Sequence, residues 1–93
     1  MKSYELLLIL DPKLDETARE ALLEKVKGYL TAAKANEIKE DKWGLKKLAY
    51  PIRYKNQGFY VVYNMEAPTT LVAEVEPKLR IEENIMRVIF SAK

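Results

Sequence analysis

The chain has 93 residues, a net charge of +2, and neither cysteine nor histidine. That length holds one domain, 1–93, with a single two-layer core that needs no metal or disulfide staple. The missing residue types exclude disulfides, thiolate chemistry, Ser-His and Cys-His nucleophiles, and the usual zinc and haem ligands.

The opening run "SYELLLIL", residues 3 to 10, is closed by Asp11-Pro12. It is too short for a signal-peptide core or a membrane span, so the chain is expected in the cytosol. This short apolar run reads as a strand, whose parity puts Leu6, Leu8 and Leu10 inside and leaves Ser3, Glu5, Leu7 and Ile9 outside. Residues 15 to 35 repeat apolar side chains at helical spacing, with Ala18, Leu22, Val26, Tyr29, Leu30 and Ala33 on one stripe and Asp15 as N-cap. Gly28 within this helix costs about 1 kcal/mol relative to alanine.

A second extended segment, Asn36 to Tyr54, contains Gly44, where a bulge or bend is expected. Asn56-Gln57-Gly58 reads as a turn. "FYVVYNME" reads as a third strand, with Phe59, Val61, Tyr63 and Met65 inside and Tyr60, Val62, Asn64 and Glu66 outside. Pro68-Thr69-Thr70 opens a second helix carrying Leu71, Val72, Val75 and Leu79. Pro77 inside it removes a hydrogen bond, so this helix is expected to be short or bent. "MRVIFS" is the last strand, with Val88 and Phe90 inside and Arg87, Ile89 and Ser91 outside.

The order β-α-β-β-α-β predicts an α+β, ferredoxin-like fold: a four-stranded antiparallel sheet, order 4-1-3-2, with both helices on one face. The second strand is then an edge, where Pro51 is tolerated and lysines keep the sheet from pairing with other chains. On the uncovered face, Leu7, Ile9, Tyr60, Val62 and Ile89 form an apolar patch that a lone soluble monomer should avoid. A partner or self-association is expected there, unless the segment around Trp43 folds over it. Charge is also uneven. From Lys42 to Met65 there are five basic residues and no acidic one, which leaves the remainder at −3. Such a block suits either a solvated edge or a polyanion.

Catalytic readings fare poorly. The loop "LDPKLDET" has no glycine and carries Asp11, Asp15 and Glu16, so it would repel the phosphate that a ferredoxin-like acylphosphatase cradles. Asp11 with Asp15, and Glu82 with Glu83, read as exposed cap and turn carboxylates. "QGFYVVYN" is a loose match to the RNA-recognition motif K/R-G-F/Y-G/A-F-V-x-F/Y. It fails at Gln57, Tyr60 and Val61, and its periodicity turns Phe59 and Val61 towards the helices.

The stretch Trp43-Gly44-Leu45-Lys46-Lys47-Leu48-Ala49-Tyr50-Pro51-Ile52 resembles the signature of the bacterial ribosomal small-subunit protein six family, in which a basic cluster precedes L-A-Y-P-I. The likeness extends through Tyr4-Glu5, Asp11-Pro12, Gly58, Glu66-x-Pro68, "LRI" at 79 to 81, and Asn84 leading into Arg87-Val88; Pro77 departs from it. This resemblance implies a structural protein of the cytoplasmic ribosome, not an enzyme, with no cofactor and no small-molecule substrate. It also implies binding to the central region of small-subunit ribosomal RNA as a heterodimer with small-subunit protein eighteen. The apolar face of Leu7, Ile9, Tyr60, Val62 and Ile89, with Leu48 and Tyr50 from the edge strand, becomes the candidate surface for protein eighteen. Lys2, Tyr4, Lys46, Lys47, Arg53, Lys55 and Arg87 become the candidates for RNA, since basic groups gain affinity by releasing counterions and a tyrosine can stack or hydrogen-bond. Tyr4 shares parity with Leu6 and Leu8, so it could equally be core.

Overall fold

Successive side chains leave a pleated strand on opposite faces, so alternating apolar runs form sheets that bury one side. The computed structural model describes residues 2–52 and 55–92, and of 49–52 and 55 the backbone alone. Its elements are β1 (Lys2–Leu10), α1 (Glu16–Ala32), β2 (Asn36–Ile52), β3 (Lys55–Ala67), α2 (Leu71–Arg80) and β4 (Ile85–Ala92). The strands pair antiparallel in the order β2-β3-β1-β4, and both helices pack on one face, as expected.

That face holds the main core. Leu6, Leu8 and Leu10 of β1 and Val61, Tyr63 and Met65 of β3 meet Leu22, Leu23, Val26 and Leu30 of α1 and Leu71, Val75 and Leu79 of α2. Truncating one of its fully buried leucines to alanine costs about 2–5 kcal/mol. α1 starts where the Asp15 carboxylate accepts the Ala18 N–H at 2.7 Å, satisfying a donor that has no partner within the helix. The buried stripe starts later than expected: Ala18, in the first turn, is exposed, while Leu23 is buried. α2 contains Pro77 and is only ten residues long.

Asn56-Gln57-Gly58 is not a turn. Gln57 and Gly58 pair with Lys47 and Lys46 inside the ladder, and the hairpin closes with Ile52 opposite Lys55. Gly58 serves packing instead. A Cβ there would lie 2.3 Å from the Ile9 Cγ2, far inside van der Waals contact, so the absent side chain is what admits Ile9. Among the described residues, no helix is long and apolar enough to cross a membrane.

Candidate nucleic-acid and partner interface

The two halves of β2 are built differently. In its first half, Glu40 and Lys42 sit opposite Tyr63 and Val61, on the helix side of the sheet. The Tyr63 hydroxyl donates to Glu40 at 2.6 Å, and the Lys27 ammonium lies 3.6 Å from the same carboxylate oxygen. Lys42 donates to Glu20 of α1, and this bond raises the lysine pKa while lowering that of the glutamate. Burial, reinforced by the bond to Glu40, pushes the Tyr63 phenol far above its ordinary value. Arg19 lies 4.0 Å from the centroid of the Phe59 ring, covering the same side.

A bulge separates the halves. Lys42 pairs with Val61 and Gly44 with Tyr60, which leaves Trp43 as an extra residue. Gly44 has φ +85°, a left-handed conformation that glycine adopts without steric cost. One added residue reverses the alternation for everything that follows. Lys46, opposite Gly58, and Leu48 therefore leave on the uncovered side, while Lys47, opposite Gln57, leaves on the helix side and lines a cleft with Pro12, Lys13, Asn56 and Gln57. The two adjacent lysines diverge.

Trp43 joins Lys46 on the uncovered side. Its ring lies parallel to Tyr60, with centroids 6.3 Å apart and planes at 6°. The indole N–H donates to Asp41 at 3.0 Å, and the Lys46 ammonium stands 5.1 Å from the indole centroid. A second irregularity lies at the other edge. Ile9 pairs with Arg87 and Leu10 with Ile85, so Met86 is the extra residue and packs with Ile9 and Leu48 in a small second cluster, with Tyr60 against it.

The structure corrects the expectation of an open apolar face. Ile9 and Val62 are 4% exposed and Leu48 is also buried, so these three do not present their surface to a partner in the isolated chain. Leu7 and Tyr60 are half-buried, and Ile89 is 38% exposed. Leu7 sits between Val62 and Ile89 in the register, so what remains outward is a narrower apolar strip across β3, β1 and β4. Tyr50 lies where only the backbone is described.

The RNA candidates do not converge on one patch. Tyr4 belongs to the main core and is withdrawn from that set: its parity with Leu6 decides its place, and it is 7% exposed. Lys2 is exposed and pairs with Ala67 of the core, hence on the helix side. Lys46 and Lys47 are exposed on β2, and Arg87 is exposed on β4 at the opposite edge. Lys55 is described only by its backbone, and Arg53 lies outside the described residues. Sequence reasoning missed Met86 and, while offering the segment around Trp43 as a cover for the open face, did not foresee its stacking on Tyr60. For Trp43 the signal was present in the bulge glycine directly after it; for Met86, strict alternation from Val88 pointed to the wrong side. Among the described residues, no group of three or more acidic side chains could hold a metal ion.

Comparison with known proteins agrees with this geometry. The family profile of ribosomal protein S6 matches residues 3–91. The small ribosomal subunit protein bS6 of Fusobacterium nucleatum is 46% identical over 89 residues, covering 96% of this chain and 95% of the relative. That of Clostridioides difficile is 42% identical over 87 residues, covering 94% of each. In three dimensions the chain is similar to the crystal structure of 30S ribosomal protein S6 from Thermotoga maritima, with a TM-score of 0.92 at 30% identity over 99% of this chain and 87% of that one.

Proposed function

The chain belongs to the ribosomal protein S6 family, and on that premise we propose that it binds small-subunit ribosomal RNA jointly with small-subunit protein eighteen. It is a structural component of the small ribosomal subunit rather than an enzyme. The observation that carries the proposal is the second half of β2. Lys46 and Lys47 are exposed there, in a stretch that contains no acidic residue from Lys42 to Met65. Phosphate contacts by such residues contribute through counterion release. The strip of Leu7, Tyr60 and Ile89, on the same side of the sheet as Lys46, is the surface for protein eighteen, with Ile9, Leu48 and Val62 supporting it from beneath.

So few basic side chains give a small electrostatic gain, so the isolated chain binds RNA weakly. Joining a second basic protein adds phosphate contacts on a fixed joint surface, and the pair binds more tightly than either protein alone. Filter binding of a central-domain RNA fragment over a salt series, with and without protein eighteen, tests this. The expected result is tighter binding and a steeper salt slope for the pair; equal affinity in both arms would overturn the joint reading.

A further inference from the structure

We propose that the Trp43 and Tyr60 pair, with Lys46 over the indole, is a stacking platform for an unpaired RNA base. This rests on the RNA-binding reading above and adds the part of the RNA that is taken: the flat face of a base, beyond the phosphate charge.

Three observations support it. Trp43 is 48% exposed, although a tryptophan is the side chain that gains most from burial. Its plane is nevertheless fixed, because Asp41 accepts the indole N–H at 3.0 Å and Tyr60 lies parallel at 6°. A surface already held in one orientation loses little rotamer freedom on binding. The Lys46 ammonium, 5.1 Å from the ring centroid, rides on a flexible stem that can move from the indole to the phosphate of a stacked nucleotide. Aromatic faces flanked by cations are how proteins hold single-stranded nucleic acid without reading its sequence.

The surroundings favour RNA over a protein contact at this point. On the uncovered side the indole has one cation beside it, Lys46, and one carboxylate, Asp41, which accepts the indole N–H; Lys42 leaves on the helix side. An apolar protein surface would have to desolvate Lys46, whereas a nucleotide offers that ammonium a phosphate. Tyr60 is shared between the platform and the apolar strip, but the rest of that strip, Leu7 on β1 and Ile89 on β4, lies beyond β3 from the indole, where a second macromolecule can sit.

Trp43 is the only tryptophan, so its fluorescence reports the platform directly. At low salt, the full chain is titrated with a short oligoadenylate, an RNA duplex of equal length and inorganic polyphosphate. Quenching by the oligoadenylate alone is expected; equal quenching by polyphosphate would overturn the proposal, because that polyanion has no base to stack. In the pair with protein eighteen, Trp43→Leu is expected to weaken central-domain RNA binding by about 5- to 150-fold, the range for one stacked base, with an unchanged salt slope. Trp43→Phe should retain most of the affinity, and Lys46→Ala should lower the slope by about one. Full RNA affinity in Trp43→Leu, in a preparation whose parent binds RNA, would overturn the platform alone. Loss of binding to protein eighteen by that variant would assign Trp43 to the protein partner and equally overturn it. Absence of RNA binding by the parent pair would instead strike the RNA-binding reading itself.

Discussion

Before its bulge, β2 ties its charges to the rest of the molecule: Glu40 to Tyr63 and Lys27, and Lys42 to Glu20. After it, Lys46 and Lys47 stand exposed on opposite sides of the sheet, one over an aromatic ring and one beside a cleft. Both halves carry lysines, but only the first also carries acidic residues, Glu37, Glu40 and Asp41. What also differs is which element each side chain meets, and one extra residue decides it. A lysine count along the chain therefore overstates the surface available to a polyanion. The +5 block includes Lys42, whose charge is already answered by a glutamate of α1.

The largest separation between the halves should appear in RNA binding. Replacing Lys46 and Lys47 together with alanine is expected to lower the salt slope of the pair with protein eighteen by about two, whereas Lys42→Ala leaves that slope unchanged; filter binding at several salt concentrations measures both. The next effect is on stability. Gly58→Ala forces a methyl group against Ile9 beneath Leu48 and should cost about 1–3 kcal/mol in urea denaturation. Gly44→Ala places a side chain at φ +85° and should cost about 1–2 kcal/mol while weakening RNA binding, since the bulge sets the side on which Lys46 emerges.

The smallest effect is a pH dependence confined to the first half. The folded state favours the neutral Tyr63 phenol, so its pKa is raised on folding. The stabilisation from this group is complete below the ordinary tyrosine pKa of about 10 and is lost as pH rises beyond it. The urea midpoint should fall above that pH. Tyr63→Phe should cost about 1 kcal/mol at neutral pH and flatten the alkaline fall; an unchanged alkaline profile in that variant would remove Tyr63 from the explanation.

Much of the fold was legible because β1 and β3 are short apolar and aromatic runs, Leu6 to Leu10 and Phe59 to Tyr63, in which the polar Glu5 and Asn64 mark the outward parity. With two helical patterns between the strands, those runs identified the sheet, its order and its buried face. Tyr4 was ambiguous only while a function for it was sought. The candidate site was less legible, because bulges break the period on which such reasoning depends. Gly44 announced one of them, but the reversed parity beyond it, which parts Lys46 from Lys47, follows only once the register is fixed. Met86 had no comparable marker. Asn56-Gln57-Gly58 has turn chemistry, and its glycine proved to answer a contact with Ile9, a residue remote in sequence.

The strand order carries a consequence for how fast the molecule assembles. Only β2 and β3 are neighbours both along the chain and in the sheet; β1 obtains its partners from distant segments, with Leu10 against Phe59 and Tyr4 against Ala92. Closing such long loops loses entropy before any contact compensates, which slows folding relative to locally wired proteins. The hairpin can form early, and with Gly58 bare it already offers the notch into which Ile9 settles when the first strand arrives.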